Sequence, residues 1–570
     1  MKKSCLIVLC FVLFLALIGC TKQDTLPSTE DNQLQSFDVT NETLDHLYVF
    51  GKVWGFLKYY HPNVAEGEFD FDQELVTIFP EIINVKSSTE RDEILTDWIL
   101  ELGEFPTEKK RNQASDIKME PDLDWISDMN LDSELEAQLQ KVRKGKRTNN
   151  HHYVSLVRNI GNPTFENEEA YLSDDYPEVE YRLLSLYRYW NIIEYYFPYK
   201  YLIEEDWDAV LKEFVPKFIE AANEKEYKLT TLELITRIND THAQIISKEP
   251  TLNEFWGENY APTIIQFVEN KPTVTGYYKD DLGKASGLEM GDVITKINGQ
   301  PIEEILNEKL KFIPASNYTT KLRDIATKLL RTTESTIDVQ YIRNGETFNT
   351  KLKTYNREKV GAANFNLSQQ DKVSFERIND DIAYIYPGSL KKGEITETIS
   401  KLDNTKGLII DLRSYPSDFI VYTLGEYLVP TPTPFVKLTK GSIKQPGLFT
   451  ESMELKVGEK NKNVYHGKVV ILINELTQSQ AEFTAMAFRK APNATVIGST
   501  TAGADGNVST FTLPGGIKTS ITGIGIYYPD GTETQRVGIV PDITVKPTID
   551  GIKEKKDEVL EKAIQLINEG

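Results

Sequence analysis

The residue of this chain best suited to chemistry is Ser479, in the segment TQSQAEFTAMAF that begins at Thr477. It follows the apolar run GKVVILIN, so a buried strand is predicted to end there and a helix to begin. Ser479 and Glu482 form a Ser-x-x-Glu pattern, which is typical of a helix N-cap. The position also suits a nucleophile, because a strand-to-helix turn exposes the hydroxyl and the helix N–H groups can hold an oxyanion. Both interpretations are open at this point.

A serine nucleophile needs a general base, and a histidine is the usual choice. Of the six histidines, His242 lies in ITRINDTHAQI, beside Asp240 and Thr241. Taken alone, it is more often a hydrogen-bonded interior histidine than a base. His61 and the pair His151-His152 have no partners at metal-ligand spacing, so no metal site is predicted. GxGxxG, HExxH and P-loop patterns are also missing from the sequence, and we predict no cofactor.

Length and charge limit the class of protein. A chain of 570 residues is too long for one core and predicts about three or four domains. The net charge of -22 argues against a nucleic-acid partner, whose phosphates need Lys and Arg.

The N-terminus is typical of an exported protein. A basic MKK precedes the apolar run CLIVLCFVLFLALIGC, which at about 16 residues is short for a membrane-spanning helix. Its end, Leu17-Ile18-Gly19-Cys20, resembles the lipobox of bacterial lipoproteins, which implies cleavage before Cys20 and a lipid on its thiol. We therefore expect a signal peptide over 1–20, a flexible tether over 21–40 and a lipoprotein anchored in the cell envelope, on its periplasmic or extracellular face. An uncleaved anchor helix is the alternative.

Residues 41–255 are predicted to form a helical N-terminal domain with an internal repeat. WGFLKYYHP (Trp54 to Pro62) and WNIIEYYFP (Trp190 to Pro198) share Trp, both Tyr residues and Pro at an offset of 136 residues. The apolar positions recur at helical spacing and the proline ends each helix. We expect two helical hairpins whose aromatic faces pack inward, with a sugar- or peptide-stacking platform as the alternative.

Residues 258–356 contain short β-like runs with glycine-rich turns. The string GLEMGDVITKINGQPI places Gly287 and Gly291 at tight turns and DVITKING in a strand that runs into a turn. It resembles a PDZ domain, which implies a groove that binds an extended peptide as an added strand. A β-rich domain that only packs on its neighbour is the alternative.

Residues 370–570 are predicted to form a parallel α/β core that ends in a C-terminal helix. IAYIYP, KGLIIDLR, KVVILIN and ATVIGS are apolar and rich in β-branched residues, as strands buried on both faces should be. The segments between them favour helices, which is the alternation of a parallel sheet.

Five segments together resemble the C-terminal processing peptidases and, more closely, the core of the tricorn protease, within one serine-peptidase family. The resemblance covers about residues 230–548 and rests on DTHAQI, GLEMGDVITKINGQPI, GLIIDLRSYPSDF, NELTQSQAEF and DGTETQRVGIVPDI. It implies a multidomain α/β fold in which a crotonase-like, ClpP-like peptidase core follows the helical and PDZ-like domains. It also implies a serine endopeptidase that acts on proteins or peptides.

The sequence departs from the family pattern at two places. Ala504 stands where the processing peptidases carry a lysine base, which favours the tricorn-like arrangement with His242 as base. The glycine pair of the oxyanion loop is replaced in DLRSYPSD, which ends at Asp418. We expect the backbone N–H of Gln480, with that of Ser417, to hold the oxyanion, since such a donor needs no particular side chain.

The resemblance suggests further roles. Glu533 is expected to orient the site, with Gln535 as the rival, and the Thr241 hydroxyl to orient His242, a role that Asp240 could share. Peptide held by the PDZ-like domain would be passed to the catalytic cleft, or the domain would gate it. The alternatives are an inactive lipoprotein that binds peptides or acts as a scaffold, and a hydrolase of some other acyl group.

Overall fold

The computed structural model describes residues 39–108, 115–172, 175–362, 372–452, 454–460 and 463–569. Val39–Gly570 form one compact unit. The expected signal peptide, the expected lipidation site Cys20 and nearly all of the tether lie outside the described residues. None of the helices within the described ranges is both long and apolar enough to cross a membrane.

The first part of the unit is mainly helical. Its helices are α1 (Asn41–Tyr60), α2 (Pro62–Ala65), α3 (Phe71–Asn84), α4 (Ser88–Glu101), α5 (Trp125–Asp128), α6 (Ser133–Arg143), α7 (Val179–Tyr196), α8 (Trp207–Glu220), α9 (Glu224–Thr236) and α10 (Pro250–Trp256). Its strands are β1 (Ile117–Met119), β2 (Val154–Leu156) and β3 (Pro163–Phe165).

The predicted repeat is visible as two similar helix pairs. Trp54 of α1 donates its indole N–H to the carbonyl of Phe71 at 2.8 Å, and Trp190 of α7 donates to Trp207 at 2.7 Å. Each acceptor is the first residue of the next long helix, α3 or α8. Both tryptophans are buried, and α1 packs on α7. The aromatic faces therefore pack inward, which confirms the packing interpretation.

The second part is β-rich. Its strands are β4 (Asn259–Tyr260), β5 (Thr263–Val268), β6 (Lys271–Tyr277), β7 (Val293–Ile297), β8 (Gln300–Pro301), β9 (Arg331–Thr332), β10 (Thr336–Arg343), β11 (Glu346–Lys353) and β12 (Tyr355–Asn356). Its helices are α11 (Asp280–Ala285), α12 (Ile302–Lys309), α13 (Tyr318–Leu329) and α14 (Arg357–Val360).

The main sheet of this region has the order β11-β10-β7-β6-β5, and α13 packs on the terminal strand β5. Gly287 and Gly291 have φ values of +80° and +91°, which a residue with a Cβ rarely adopts. The two predicted turns therefore form where the sequence placed them. Because β5 ends the order of this sheet, its outer edge has no paired strand among the described strands.

The third part has the predicted alternation of strands and helices. Its strands are β13 (Phe375–Arg377), β14 (Ile382–Ile385), β15 (Gly407–Asp411), β16 (Thr433–Gly441), β17 (Phe449–Glu451), β18 (Leu455–Val457), β19 (Lys468–Ile473), β20 (Ala494–Gly498), β21 (Val508–Leu513), β22 (Ile517–Thr522), β23 (Ile526–Tyr527) and β24 (Ile543–Thr544). Its helices are α15 (Ile395–Ser400), α16 (Val421–Leu428), α17 (Gln480–Phe488), α18 (Ile549–Lys553) and α19 (Glu558–Glu569).

The core of this region is a sheet of order β13-β14-β15-β19-β20-β24, in which only β13 runs antiparallel to its neighbour. The four predicted strands are β14, β15, β19 and β20. Successive residues alternate between two hydrophobic clusters, so that Ile410 faces one layer of helices and Ile409 the layer that contains α19. Because β15 and β19 are parallel neighbours, the loops after Asp411 and Ile473 meet at one edge of the sheet.

The hairpin β21–β22 connects the α/β region to the segment that carries His242. Ile245 forms a β-bridge with Thr519, and the Ser520 hydroxyl donates to the His242 carbonyl at 2.6 Å. The hairpin thus holds the His242 segment against the region that contains Ser479.

Candidate active site

Ser479 lies at a strained turn between β19 and α17. Its backbone has φ 56° and ψ −121°, whereas an ordinary N-cap residue is extended. Its N–H donates to the Ala504 carbonyl at 2.9 Å and to the Glu482 carboxylate at 3.1 Å. Non-glycine residues in such conformations cost about 1–3 kcal/mol and cluster at functional sites. This geometry favours a nucleophile over a cap alone.

Glu482 connects the serine turn to the loop that follows β20. Its fully buried carboxylate accepts the hydroxyl of Thr501 and the N–H groups of Gly503 and Ala504, the latter two at 2.9 and 3.0 Å. Ala504, which replaces the lysine of the processing peptidases, is itself fully buried. This residue therefore supports the serine turn through its backbone and leaves the role of base to another group.

His242 is oriented by a hydroxyl and a carboxylate. Its Nδ1 lies 2.8 Å from the Thr522 hydroxyl, which donates to Asp240 Oδ1 at 2.9 Å. Since the hydroxyl proton points to Asp240, the hydroxyl oxygen accepts from Nδ1–H, which assigns the Nδ1–H tautomer. Nε2 is then unprotonated and able to accept a proton. Burial lowers the pKa of His242 and Asp240 partly raises it, so the neutral form predominates at neutral pH.

Asp240 is the anchor of this network. Fully buried, it also accepts the His242 N–H at 3.1 Å, the Thr522 N–H at 2.7 Å and the Gln535 side-chain amide at 3.2 Å. The carboxylate therefore stabilises both the position of the imidazole and any positive charge that forms on it.

Thr241, expected to orient His242, and Glu533, expected to orient the site, both have other partners, and these expectations are corrected. The Thr241 hydroxyl donates to Ser316 at 3.0 Å, because the Thr241 side chain points toward the loop before α13. Glu533 accepts from Lys118 at 3.0 Å and from Tyr201 at 2.8 Å, on the side of the helical region. Gln535, the rival of Glu533, does reach the network through Asp240.

The two expected oxyanion donors differ in availability. Gln480 is the first residue of α17, so its N–H has no partner within the helix. The Ser417 N–H instead donates to the Pro387 carbonyl at 2.9 Å. The expectation that Ser417 holds the oxyanion is therefore corrected. In this loop, residues with side chains replace the glycine pair, and the loop packs back on Pro387.

Thr522 is the contributor that sequence reasoning missed. It lies in the β-rich segment TSITGIGIYYPDG, where the hydroxyl residues carry no spacing that distinguishes one from another. Only the pairing of β22 with the His242 segment brings its hydroxyl to the imidazole.

Ser479 lies between two cavities. The first, called here the charged cavity, measures about 590 Å³ and contains both Ser479 and His242. Its other lining residues include Ile264 and Ile265 of β5 and four charged side chains, Arg323, Asp324, Arg331 and Arg357. The second, called here the apolar cavity, measures about 440 Å³. Its lining residues include, besides Ser479, the apolar or aromatic side chains of Phe419, Tyr422, Leu438, Leu455, Phe483 and Ile524.

One carboxyl group lines the apolar cavity. Asp505 is buried, and burial together with the nearby Glu482 raises its pKa well above the usual range. These surroundings therefore favour the protonated, uncharged form of this carboxyl. Among the described residues, no group of three or more His, Cys, Asp or Glu is arranged to hold a metal ion.

Comparison with known proteins finds similarity to serine peptidases. Residues 381–545 match the profile of Peptidase family S41. The "Probable CtpA-like serine protease" of Staphylococcus aureus (strain N315) is 25% identical over 324 residues, which cover 55% of this chain and 58% of that protein. The protein of the same name from Staphylococcus haemolyticus (strain JCSC1435) is 24% identical over an equal length. The match to Peptidase family S41 therefore concerns residues 381–545, and the chain spans 58% of the length of these curated relatives.

Solved structures agree on the fold. Mature CPAF complexed with lactacystin has a TM-score of 0.54 and 16% identity, over 69% of this chain and 99% of that one. Mature CPAF alone has a TM-score of 0.52 and 15% identity, over 69% and 98%. At this identity the likeness concerns the mixed α/β fold.

Proposed function

We propose that this protein is a serine endopeptidase that cleaves proteins or peptides with Ser479 as nucleophile and His242 as base. The observation that carries the proposal is the charged cavity, where residues separated by 237 positions in sequence line one space. The strained turn at Ser479 and the orientation of His242 support the same roles.

The reaction follows from these positions. The Ser479 oxygen attacks the peptide carbonyl carbon while His242 Nε2 takes the hydroxyl proton. The carbonyl electron pair moves to oxygen, and the Gln480 N–H stabilises the negative charge. The carbonyl then re-forms and the C–N bond breaks, while the imidazolium, held by Thr522 and Asp240, returns its proton to the leaving amine. In the second half, His242 takes a proton from water as the water oxygen attacks the acyl carbon. The bond from that carbon to the Ser479 oxygen breaks, and the serine oxygen takes the proton back.

The β-rich region is proposed to act as a PDZ-like substrate-binding module. Ile264 and Ile265 on the terminal strand β5 line the charged cavity, as does Thr327 on the facing helix α13. An extended peptide added to β5 would therefore run toward Ser479, which favours substrate delivery over a purely structural role.

Substrate delivery is testable at an exposed position. Thr327 lines the groove, whereas Thr319 is an exposed threonine of the same helix outside the set of residues that line the charged cavity. Thr327→Trp should raise KM for long peptides at least about fivefold with little change in kcat, and Thr319→Trp should leave both unchanged. Equal KM values for the two variants would argue against delivery through this groove.

We further propose that the mature protein is a lipoprotein of the cell envelope, on the basis of the Leu-Ile-Gly-Cys segment ending at Cys20. Cells fed labelled palmitate should label the wild type and Cys10→Ala but not Cys20→Ala. Label retained in Cys20→Ala would contradict the proposal.

The peptidase activity itself is tested with denatured casein and a fluorophosphonate probe. Wild-type protein should hydrolyse casein, and mass spectrometry should locate the probe on Ser479. Binding of casein without hydrolysis or labelling would instead support the inactive scaffold. Hydrolysis of a small ester without cleavage of peptides would support the hydrolase of another acyl group.

A further inference from the structure

The oxyanion site of the proposed peptidase needs a second donor. Acyl-transfer enzymes hold the tetrahedral oxyanion with positioned hydrogen-bond donors, commonly two. Gln480 supplies one N–H, but the Ser417 N–H is bonded to Pro387, and the Ser417 hydroxyl donates to the Leu390 carbonyl at 2.8 Å. Ser417 therefore faces away from the nucleophile.

The same loop brings Tyr415 to Ser479. The Thr477 hydroxyl donates to the Leu412 carbonyl at 2.7 Å, and the Gln480 side chain donates to the Asp418 carbonyl at 2.8 Å. These two bonds attach both ends of the loop to the serine turn. Tyr415 lies between them, lines both cavities together with Ser479, and its side chain interacts with that of Ser479.

We propose that Tyr415 is a catalytic residue whose phenolic hydroxyl donates the second hydrogen bond to the oxyanion formed when Ser479 attacks. The oxyanion and the serine oxygen are bonded to the same carbon in the adduct. A donor that lines the same two cavities as the serine can therefore reach the oxyanion by a rotation of its side chain. No proton leaves Tyr415, since His242 takes the proton of the serine hydroxyl.

The chemistry of Tyr415 suits this role. Burial raises the pKa of the phenol, so the hydroxyl keeps its proton at neutral pH and remains a donor. At 37% exposure, the side chain still reaches the space where substrate binds. Tyr415 stands in the loop DLRSYPSD, the same loop in which the glycine pair implied by the family resemblance is replaced. A side-chain donor thus accompanies the loss of a backbone donor.

Asp505 is the rival donor because it lines the apolar cavity and its surroundings raise the pKa of its carboxyl, which favours the protonated form. Its Oδ1 accepts the Gly506 N–H at 2.7 Å, and its Oδ2 has no partner among the described residues. Of the two cavities, Asp505 lines the apolar one only, whereas Tyr415 lines both together with Ser479. The geometry therefore favours Tyr415.

This inference rests on the proposed peptidase function, and one experiment separates the two. The full-length protein, Tyr415→Phe and the control Tyr427→Phe are compared on a peptide substrate by kcat, KM and melting temperature. Tyr427 is a buried tyrosine of the same core that lies outside the two sets of cavity-lining residues. Tyr415→Phe should lower kcat by about 10²–10³-fold with KM within about twofold. The control should match wild type, and all three should melt within about 2 °C of one another.

A peptide boronic acid, whose serine adduct mimics the tetrahedral intermediate, supplies a second readout. Tyr415→Phe should weaken its binding by a factor similar to the loss in kcat. A kcat within threefold of wild type would overturn the proposal, and a higher kcat would show that Tyr415 restrains Ser479 instead. A hundredfold loss in Asp505→Asn with normal kcat in Tyr415→Phe would assign the donor to Asp505. A wild type that neither hydrolyses peptide nor reacts with the fluorophosphonate would contradict the peptidase function itself.

Discussion

Two serines of this chain begin helices with the same Ser-x-x-Glu pattern, Ser87 before α4 and Ser479 before α17. Ser87 is extended, with φ −160° and ψ 159°, and its hydroxyl accepts the Glu90 N–H at 3.2 Å. Ser479 has a strained backbone instead, and its side chain contacts Tyr415. The first serine satisfies the helix end, whereas the second is held away from that role.

The glutamates of the two patterns explain this difference. Glu90 is exposed and accepts the Lys86 N–H at 2.7 Å, just before its helix. Glu482 is buried and bonds the Ser479 N–H together with the loop at Thr501–Ala504. Tertiary contacts thus stabilise the strained turn at Ser479, and a four-residue pattern alone does not distinguish a cap from a nucleophile.

The largest effect is expected from Ser479→Ala. It should lower kcat by at least about 10³-fold, because the nucleophile is lost, with a melting temperature within about 2 °C of wild type. Casein hydrolysis and thermal melts measure the two quantities. Normal activity in the folded variant would show that Ser479 is not the nucleophile. A variant that only fails to fold would indicate that Ser479 is a helix cap like Ser87.

Glu482→Ala should destabilise the protein by about 3 kcal/mol, because it leaves several buried donors without an acceptor. Glu90→Ala, the matched change at the exposed pattern, should cost less than about 1 kcal/mol. Urea unfolding compares them. Equal losses would contradict the claim that tertiary contacts hold the turn at Ser479.

Thr522→Val should lower kcat by about 10–100-fold, because the Nδ1–H of His242 loses its acceptor and the imidazole loses its fixed orientation. Thr519→Val is the control on the same strand, since its buried hydroxyl donates to the Gln244 carbonyl at 3.0 Å. The control should lose only about 1 kcal/mol of stability. Similar kcat values for the two variants would remove Thr522 from the site.

The pH dependence of the wild type should show which form of His242 is active. Burial lowers its pKa below the ordinary value of about 6.5, and the base must be neutral, so kcat/KM should fall only as pH drops through this lowered pKa. Asp240→Asn removes the charge that partly raises this pKa, so the acid limb should move to lower pH. An acid limb above pH 7 would be inconsistent with His242 as base.

The smallest effect is expected from Ser87→Ala. Loss of an ordinary N-cap should cost about 1 kcal/mol of stability, with kcat and KM unchanged. Chemical unfolding and casein hydrolysis measure the result. A loss of activity in the folded variant would contradict the claim that Ser87 only caps its helix.

Much of the fold was predictable from local patterns. The parallel strands, the helices between them and the inward-facing repeat at Trp54 and Trp190 follow from apolar periodicity and proline positions, which act over a few residues. The wrong expectations concern side-chain partners. Thr241 follows Asp240 in sequence but points to Ser316, while the partner of His242 is Thr522, 280 residues away.

The sequence by itself determined that Ser479 would lie where a buried strand meets a helix, because hydrophobic burial and helix capping depend on neighbouring residues. It also determined that no lysine stands at position 504 to act as base. Only the tertiary structure decided that β22 would bring a hydroxyl to His242 and that the Ser417 N–H would face Pro387. Such contacts join distant segments, and their geometry is set by the packing of whole elements, for which a single sequence carries no periodic signal.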